Sequence, residues 1–269
     1  MDYLARTTAP FGDEIWEQID HTVIETAKKY LVGRRFLEIY GPLGAGTQAV
    51  SVDSTEKDET IEDGFATITG RKLIELPQLY EDFVLLWRDL ETAEKLGIPL
   101  DLSAGARAAQ ASAKAEDYLI FHGNKTLGHK GLLNADGATV LKKDDWSTGE
   151  NAFSNIASGA ALFDEKGILG RYSLIIGPDL YYQLQRIQPG TGMMEIDRIK
   201  SLLDGRVFKS TTVIGKALLV CSESQYMDLA IGQDLATSYL ELTNLNHYFR
   251  ILETIALRIK NSDAIIVYE

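Results

Sequence analysis

Between Asp13 and Leu31 the apolar residues Trp16, Ile19, Val23, Ala27 and Leu31 recur every three or four positions, the spacing of one face of an α-helix. Asp13 is placed to cap that helix, and Gly33 to end it in the C′ position. A stripe of this kind serves core packing or the docking of a partner. The stretch Ala27–Gly46 then reads as a joint, a helix end that turns, presents Arg34 and Arg35, and leaves through Gly41-Pro42 into an extended arm. From Ala45 to about Gln78 the helical period is gone. Ser51–Asp63 is polar and acidic, and Phe65–Leu76 alternates, with Phe65, Thr67 and Thr69 on one side and Ala66 and Ile68 on the other. That alternation predicts an exposed hairpin or extended arm. A segment with so little apolar content of its own is either a flexible loop or an arm whose partner surface lies on another chain.

Beyond Pro77 the pattern is denser. Leu79, Phe83, Leu85 and Trp87 predict a strand feeding a short helix that ends near Gly97. Ser103 or Asp101 can cap the next helix, rich in alanine from Ala104 to Ala115 and ending at Gly123; it reads as a long buried spine, because alanine lets neighbouring backbones approach closely. From Lys125 a mixed α/β block follows. Its expected elements are a helix over 147–166, a buried strand over 172–176, a helix opened by Pro178, a turn-rich loop over 188–192, a helix over 194–203, and strands over 206–209 and 217–222. After Met227 the chain is mostly β. The α/β block therefore reads as a subdomain inserted between the spine helix and the C-terminal strands.

Composition narrows the class. With 269 residues, 45% hydrophobic and 25% charged, the chain suits one large folded domain or two small ones. A net charge of −12 argues against a nucleic-acid or anionic-membrane partner, both of which need a basic face. The lone Cys221 gives no disulfide framework and no thiolate metal site, which fits a reducing cytoplasm. The N-terminus lacks the pattern of a signal peptide, and the longest apolar runs, Phe83–Trp87 and Ala264–Tyr268, fall far short of the roughly 18 residues that span a bilayer.

Candidate chemistry is sparse. His21, His122, His129 and His247 fall in separate segments without ligand spacing. Gly41–Gly46 lacks the closing Gly-Lys-Ser/Thr of a phosphate loop. Glu116 and Asp117 are adjacent on a helix and so face different ways, which suits a salt bridge to an arginine of a neighbouring element better than an acid/base pair. Cys221 sits on an apolar strand as a core residue, and no nucleophile motif is present. No catalytic residue, no metal and no required cofactor are expected.

An ordered set of segments carries a resemblance. WEQID from Trp16, VGRRF from Val32, Gly41-Pro42, WRDLE from Trp87, AEDYLIFHG from Ala115, Gly131-Leu132, GPDLYYQL from Gly177, GQD from Gly232 and the terminal AIIVY together resemble the encapsulins, bacterial and archaeal shell proteins that build icosahedral nanocompartments. The resemblance runs almost end to end. It implies an α+β fold of the tailed-bacteriophage major capsid type (Hong Kong ninety-seven phage type), with a peripheral P-domain, an axial A-domain and an extended E-loop. The implied division is an N-terminal arm and helix over 1–44, the E-loop over 45–78, the P-domain with its spine helix over 79–124, the A-domain over 125–224, and C-terminal P-domain strands over 225–269.

The family's function would make this chain a structural, non-enzymatic shell. Its partners would be itself, in sixty copies or a larger icosahedral multiple, and a cargo enzyme held by its C-terminal targeting peptide. By position, that peptide's groove would be lined by Ile24, Leu31, Arg34, Glu38, Asp234, Leu235 and Tyr239, with Arg34 meeting a backbone or carboxylate acceptor. Gln188, Pro189, Gly190, Thr191 and Gly192 would line the five-fold pore. Trp87 resembles the tryptophan near which some members bind a flavin. LVGRRFLEIYGPLGAG looks closest to the branch with ferritin-like, iron-storing cargo, rather than the branch enclosing dye-decolourising peroxidases. A prophage major capsid protein, or an enzyme with the peptidase or bacteriocin activity sometimes attached to the family, are the alternatives.

Overall fold

Helix α1 (Asp13–Tyr30) buries Trp16, Ile19, Val23 and Ala27, the stripe its spacing predicts. Its acidic first turn and basic last turn both suit the helix dipole. Gly12, not Asp13, holds the N-cap position, and the helix stops at Tyr30, short of Gly33. The cause of that early stop is Asp117, whose carboxylate accepts the backbone N–H of Val32 at 3.0 Å and of Gly33 at 2.9 Å. Gly33 therefore opens a 3-10 turn, Gly33–Arg35, instead of closing the helix. A Cβ there would stand 2.3 Å from Cδ1 of Ile120, so any other residue would have to push that buried side chain aside.

The computed structural model describes residues 2–188 and 191–269, with the backbone alone at 53–58, 60, 62 and 66–71. After the joint, β1 (Ile39–Tyr40) leads to a long hairpin of β2 (Ala49–Glu62) and β3 (Phe65–Glu75), which form a sheet of two strands. Asp63 and Gly64 turn it with positive φ, the conformation a two-residue hairpin loop demands. Its alternating side chains at 66–69 lie outside the described set, while Phe65 is 78% exposed. Among the described residues, the hairpin is anchored at its base, where Val50 and Leu76 pack on Ala230 and Ala256.

Strand β4 (Gln78–Leu85) then feeds α2 (Trp87–Leu96), closed by Gly97 at φ 62. Trp87 is the first residue of this helix, not the last of the strand. The spine α3 (Ser103–His122) starts beside Asp101, whose carboxylate accepts the N–H of Ser103 at 2.9 Å. It buries Ala108, Ala109 and Ala113 together with Glu116 and Asp117, and leaves Tyr118 exposed.

A short ribbon of β5 (Gly123–Asn124) and β6 (His129–Lys130) precedes β7 (Thr139–Leu141) and α4 (Asn151–Glu165). The helix begins four residues later than its pattern predicts, because Asp145 holds a turn by accepting the N–H of Ser147 at 2.9 Å. The remaining elements are β8 (Tyr172–Ile176), α5 (Pro178–Gln183), α6 (Glu195–Leu202), β9 (Val207–Lys209), β10 (Ala217–Cys221), β11 (Met227–Ile231), β12 (Ala236–Thr243), β13 (Asn246–Ile259) and β14 (Ile265–Tyr268).

Two five-stranded sheets result. In the first, β13 is central: its N-terminal half pairs with β12 and β4, its C-terminal half with β11, and β1 joins β11 in parallel. In the second, the order is β7-β14-β10-β8-β9. The terminal strand β14 was expected with the first sheet as part of 225–269. It lies instead between β7 and β10, with Leu219 opposite Ile266, so the inserted unit is completed by the end of the chain. Its apolar run explains the placement, since all four residues are buried, as a strand flanked on both sides requires. The main core packs this second sheet, α4 and α6 against Phe36 and Phe121 of the first unit; a second cluster gathers Trp16, Ile19, Phe83 and Phe249 between α1, α3 and the first sheet. Among the described residues, no helix is long and apolar enough to cross a membrane.

Candidate functional site

A groove of about 380 Å³ opens between the C-terminal half of α1 and the loop joining β11 to β12. Its floor is apolar: Ala27 and Leu31 pack with Ala113 of the spine, and Leu235 leans in from the loop. Ile24 stands at its mouth, 41% exposed, with Lys28 and Arg35 on one rim and Asp234 on the other. The helical spacing of Ile24, Ala27, Lys28 and Leu31 places all four on one face. Five of the residues assigned to the groove from sequence, Ile24, Leu31, Arg34, Asp234 and Leu235, are brought together here.

Two are not. Glu38 pairs with Arg171, which also reaches Glu223 at 2.9 Å, and so belongs to a link between the two sheet units. Tyr239 faces the first sheet's core, its hydroxyl sharing a hydrogen bond with Nδ1 of His247 at 3.2 Å and its ring standing edge-on to Phe249. On β12 alternate residues point to opposite sides, so Tyr239, buried among aromatics, is unavailable to the groove.

Arg34 also differs from expectation. Its Nε donates to Glu116 at 2.9 Å, Nη2 donates to Glu116 and to Glu253 at 2.7 Å each, and Nη1 donates to Asp234 at 2.6 Å. Glu116 meets an arginine of a neighbouring element as its sequence predicts, and both glutamate side chains are fully buried. Burial, and then the charge of Glu116, push the carboxyl of Glu253 well above the usual carboxylate range, against the pull of Arg34. Burial likewise pushes Asp117 up to about 7, opposed by the N–H donors of Gly33 and Val32. Sequence reasoning missed Glu253. The signal was a lone acid inside the apolar alternation of HYFRILETI, since an acid in a buried strand needs a partner.

In the turn-rich loop, Pro189 and Gly190 lie outside the described residues. Gln188 does not face outward: it is buried, its Nε2 donates to the carbonyl of Gly149 at 3.1 Å, and its Oε1 accepts from Arg198. Thr191 and Gly192 are exposed. The glycine-rich run after β1 shows no open phosphate cradle, since Leu43 and Gly44 donate their N–H groups to the carbonyls of Ile231 and Gly232 at 2.9 and 2.8 Å.

Trp87 borders a separate cavity of about 510 Å³. Glu14, Glu91 and Glu94 also line it, and the guanidinium of Arg88 lies over the indole, 5.5 Å from its centroid. The charge beside Trp87 is therefore mixed, with three carboxylates lining the cavity and one guanidinium over the indole. Among the described residues, no three His, Cys, Asp or Glu side chains group to hold a metal ion. Burial raises the Cys221 thiol to about 11, which leaves it a poor nucleophile.

The model of the Linocin_M18 family, described as "Encapsulating protein for peroxidase", matches residues 1–256. The chain is 39% identical to the type 1 encapsulin shell protein EncA of Myxococcus xanthus, covering 100% of this chain and 96% of that one. It is 37% identical to a diheme-cytochrome-encapsulin shell fusion protein of Kuenenia stuttgartiensis, over 95% of this chain and 73% of the other, and 24% identical to a ferritin-like-encapsulin shell fusion protein of Pyrococcus furiosus, over 77% and 56%. Among solved structures, the virus-like particle from Pyrococcus furiosus superposes with a TM-score of 0.77 at 22% identity, covering 95% of this chain and 100% of that one. The capsid of the myovirus XM1 follows with 0.67 at 16%, over 88% and 91%, so the fold is that of phage capsids.

Proposed function

The chain belongs to the encapsulin family of encapsulating shell proteins, and we propose that it closes into an icosahedral compartment whose interior groove captures an enzyme by an apolar peptide tail. It is a shell protein that self-assembles into a capsid-like shell, and it is not itself an enzyme. The observation that carries the capture is the groove: an apolar floor of Ala27, Leu31 and Leu235 between charged rims, on the helix that the chain presents first. Leucines of an extended peptide would bury there, and an oligomeric cargo would engage several grooves at once.

For the cargo, the reading is a ferritin-like iron-oxidising protein, with the compartment storing iron in the cytoplasm and protecting it from oxidative stress. A relative from Pyrococcus furiosus is named as a fusion of a ferritin-like protein to the shell, and the chain's net charge of −12 would draw cations inward. A peroxidase, which the family's description names, is the competing cargo. No cofactor is assigned to the shell. The exposed Thr191 and Gly192 offer no charge, so backbone carbonyls of that loop would filter ions at a five-fold pore. Fold alone would leave a phage capsid in play; 39% identity over the whole chain to a named encapsulin shell favours the compartment.

Negative-stain microscopy of the protein expressed alone should show uniform round shells, and their diameter would fix the copy number. Shells purified from the native host should carry a ferritin-like protein and take up ferrous iron. Leu235→Asp should leave shells intact and empty them of cargo. Loaded Leu235→Asp shells would sink the groove, and a peroxidase in native shells would sink the iron reading.

A further inference from the structure

Both walls of the groove are fastened to one pair of adjacent residues on the spine helix. Asp117 grips the α1 side by accepting the N–H groups of Val32 and Gly33. Glu116, one residue earlier and so aimed differently, grips Arg34. The guanidinium then spans the site: it is bound to Glu116 and Glu253 behind, and reaches Asp234 on the opposite wall at 2.6 Å. Asp234 in turn accepts the N–H of Leu235 at 2.8 Å, which sets where that leucine enters the floor. Of the five N–H hydrogens of the fork, these bonds leave one, on Nη1.

We infer that Arg34 is a positioning residue, and that Glu116 and Glu253, neither of which lines the groove, fix the spacing of its walls through it. The inference rests on the groove reading above. It turns Arg34 from a side chain that greets the peptide into a strut within the wall. The trio of carboxylates around a single cation is also informative. Oε1 of Glu253 is buried without a hydrogen-bond partner, and burial beside Glu116 favours the neutral form of the carboxyl. Glutamine is then its neutral mimic, because the amide oxygen can still accept from Nη2.

The test reassembles dissociated shells in the presence of a fluorescein-labelled peptide with two leucines in a glycine–serine background, over a range of peptide concentrations, so that the peptide reaches the interior face, and reads its anisotropy. Glu253→Ala removes an acceptor that the peptide never meets, and should weaken binding about tenfold, the scale of one lost hydrogen bond to a charged group. Arg34→Lys keeps the charge, yet a compact ammonium cannot span Glu116, Glu253 and Asp234 together, so it should weaken binding to a similar extent. Glu253→Gln should bind as the unmodified shell does. This rescue separates wall positioning from a general loss of stability, which melting of the same shells reports in parallel. Wild-type affinity in Arg34→Lys or Glu253→Ala, with binding still abolished by Leu235→Asp, would overturn the inference and leave the groove standing. If the wild-type shell itself binds no such peptide, the groove reading falls and the inference with it. Should Glu253→Ala fail to assemble, Arg34→Lys and Glu253→Gln still decide the matter.

Discussion

The hairpin of β2 and β3 and the second sheet are both β-structure, and they are stabilised in opposite ways. The hairpin runs from the Ala49–Glu75 pair to the Glu62–Phe65 pair and ends there, with Ile61, Phe65 and Leu73 each more than two-thirds exposed. In the second sheet, Leu174, Ile175, Ile176, Leu218, Leu219, Val220, Ile265 and Ile266 are wholly buried. A two-stranded ribbon is marginal in water, and bare edges with apolar faces invite pairing. One region is therefore packed within its own subunit, and the other leaves apolar side chains that its own subunit does not cover.

The largest test of that contrast removes the hairpin's reach. Replacing residues 54–70 with a short glycine–serine turn should abolish shells, as expected of an arm whose partner surface lies on another copy. The subunit should keep its circular dichroism, since the anchoring contacts of Val50 and Leu76 remain. Phe65→Asp should act in the same direction with smaller amplitude. Shells of normal diameter from the shortened chain would mean that the hairpin is an ordinary loop, and the comparison would collapse. The converse substitution is Leu219→Ala, at the centre of the second sheet between Leu174 and Ile266. It leaves a cavity in a close-packed core and should cost about 2–5 kcal/mol, read by denaturant unfolding. Whatever shells form from it should have normal diameter, because the residue meets no neighbour. An altered diameter with unchanged stability would put Leu219 on the wrong side of the contrast.

The same contrast accounts for what the amino-acid order made legible. The hairpin could be expected because Ser51–Asp63 lacks both a helical period and apolar content. The stripe of α1, the alanine spine and the buried strands could be expected from periods of 3.6 and 2. The end of α1 could not, because its stop signal is a carboxylate eighty-five residues away, at Asp117. The place of β14 was equally hidden: AIIVY announces a buried strand and says nothing of which sheet receives it. In the groove, helical spacing pointed to Ala27 and Leu31, and the family resemblance alone pointed to Ile24. Glu38 and Tyr239 were misplaced because a position shared with a family does not fix which way a side chain turns on this backbone. Arg34 lines the groove, and the two glutamates that hold its guanidinium were hidden because they come from α3 and β13, far apart in the chain.

Between the two extremes lies the joint, buried like the sheet and polar like the hairpin, and its stability should depend on pH. Burial raises the Asp117 carboxyl from 3.8 to about 7, with Glu116 adding to the rise and Arg35, Val32 and Gly33 opposing it. The sign follows from where the proton binds more tightly. The folded state holds the proton better than the unfolded chain does, so this group's contribution is fully present below about pH 4 and is lost as pH rises through about 7. The loss across that window should be on the order of 4 kcal/mol. Asp117→Asn keeps an oxygen for the N–H groups of Val32 and Gly33 and carries no charge at any pH. Melting temperatures of its shells between pH 4 and 8 should therefore fall less steeply than those of the unmodified shell. Glu253, raised in the same direction, contributes a slope of the same sign, so Glu253→Gln should flatten the profile further when the two are combined. Superposable profiles for Asp117→Asn and the unmodified shell would mean that the two N–H bonds outweigh burial. Asp117 would then be an ordinary ionised cap, and the joint would belong with the second sheet, indifferent to pH.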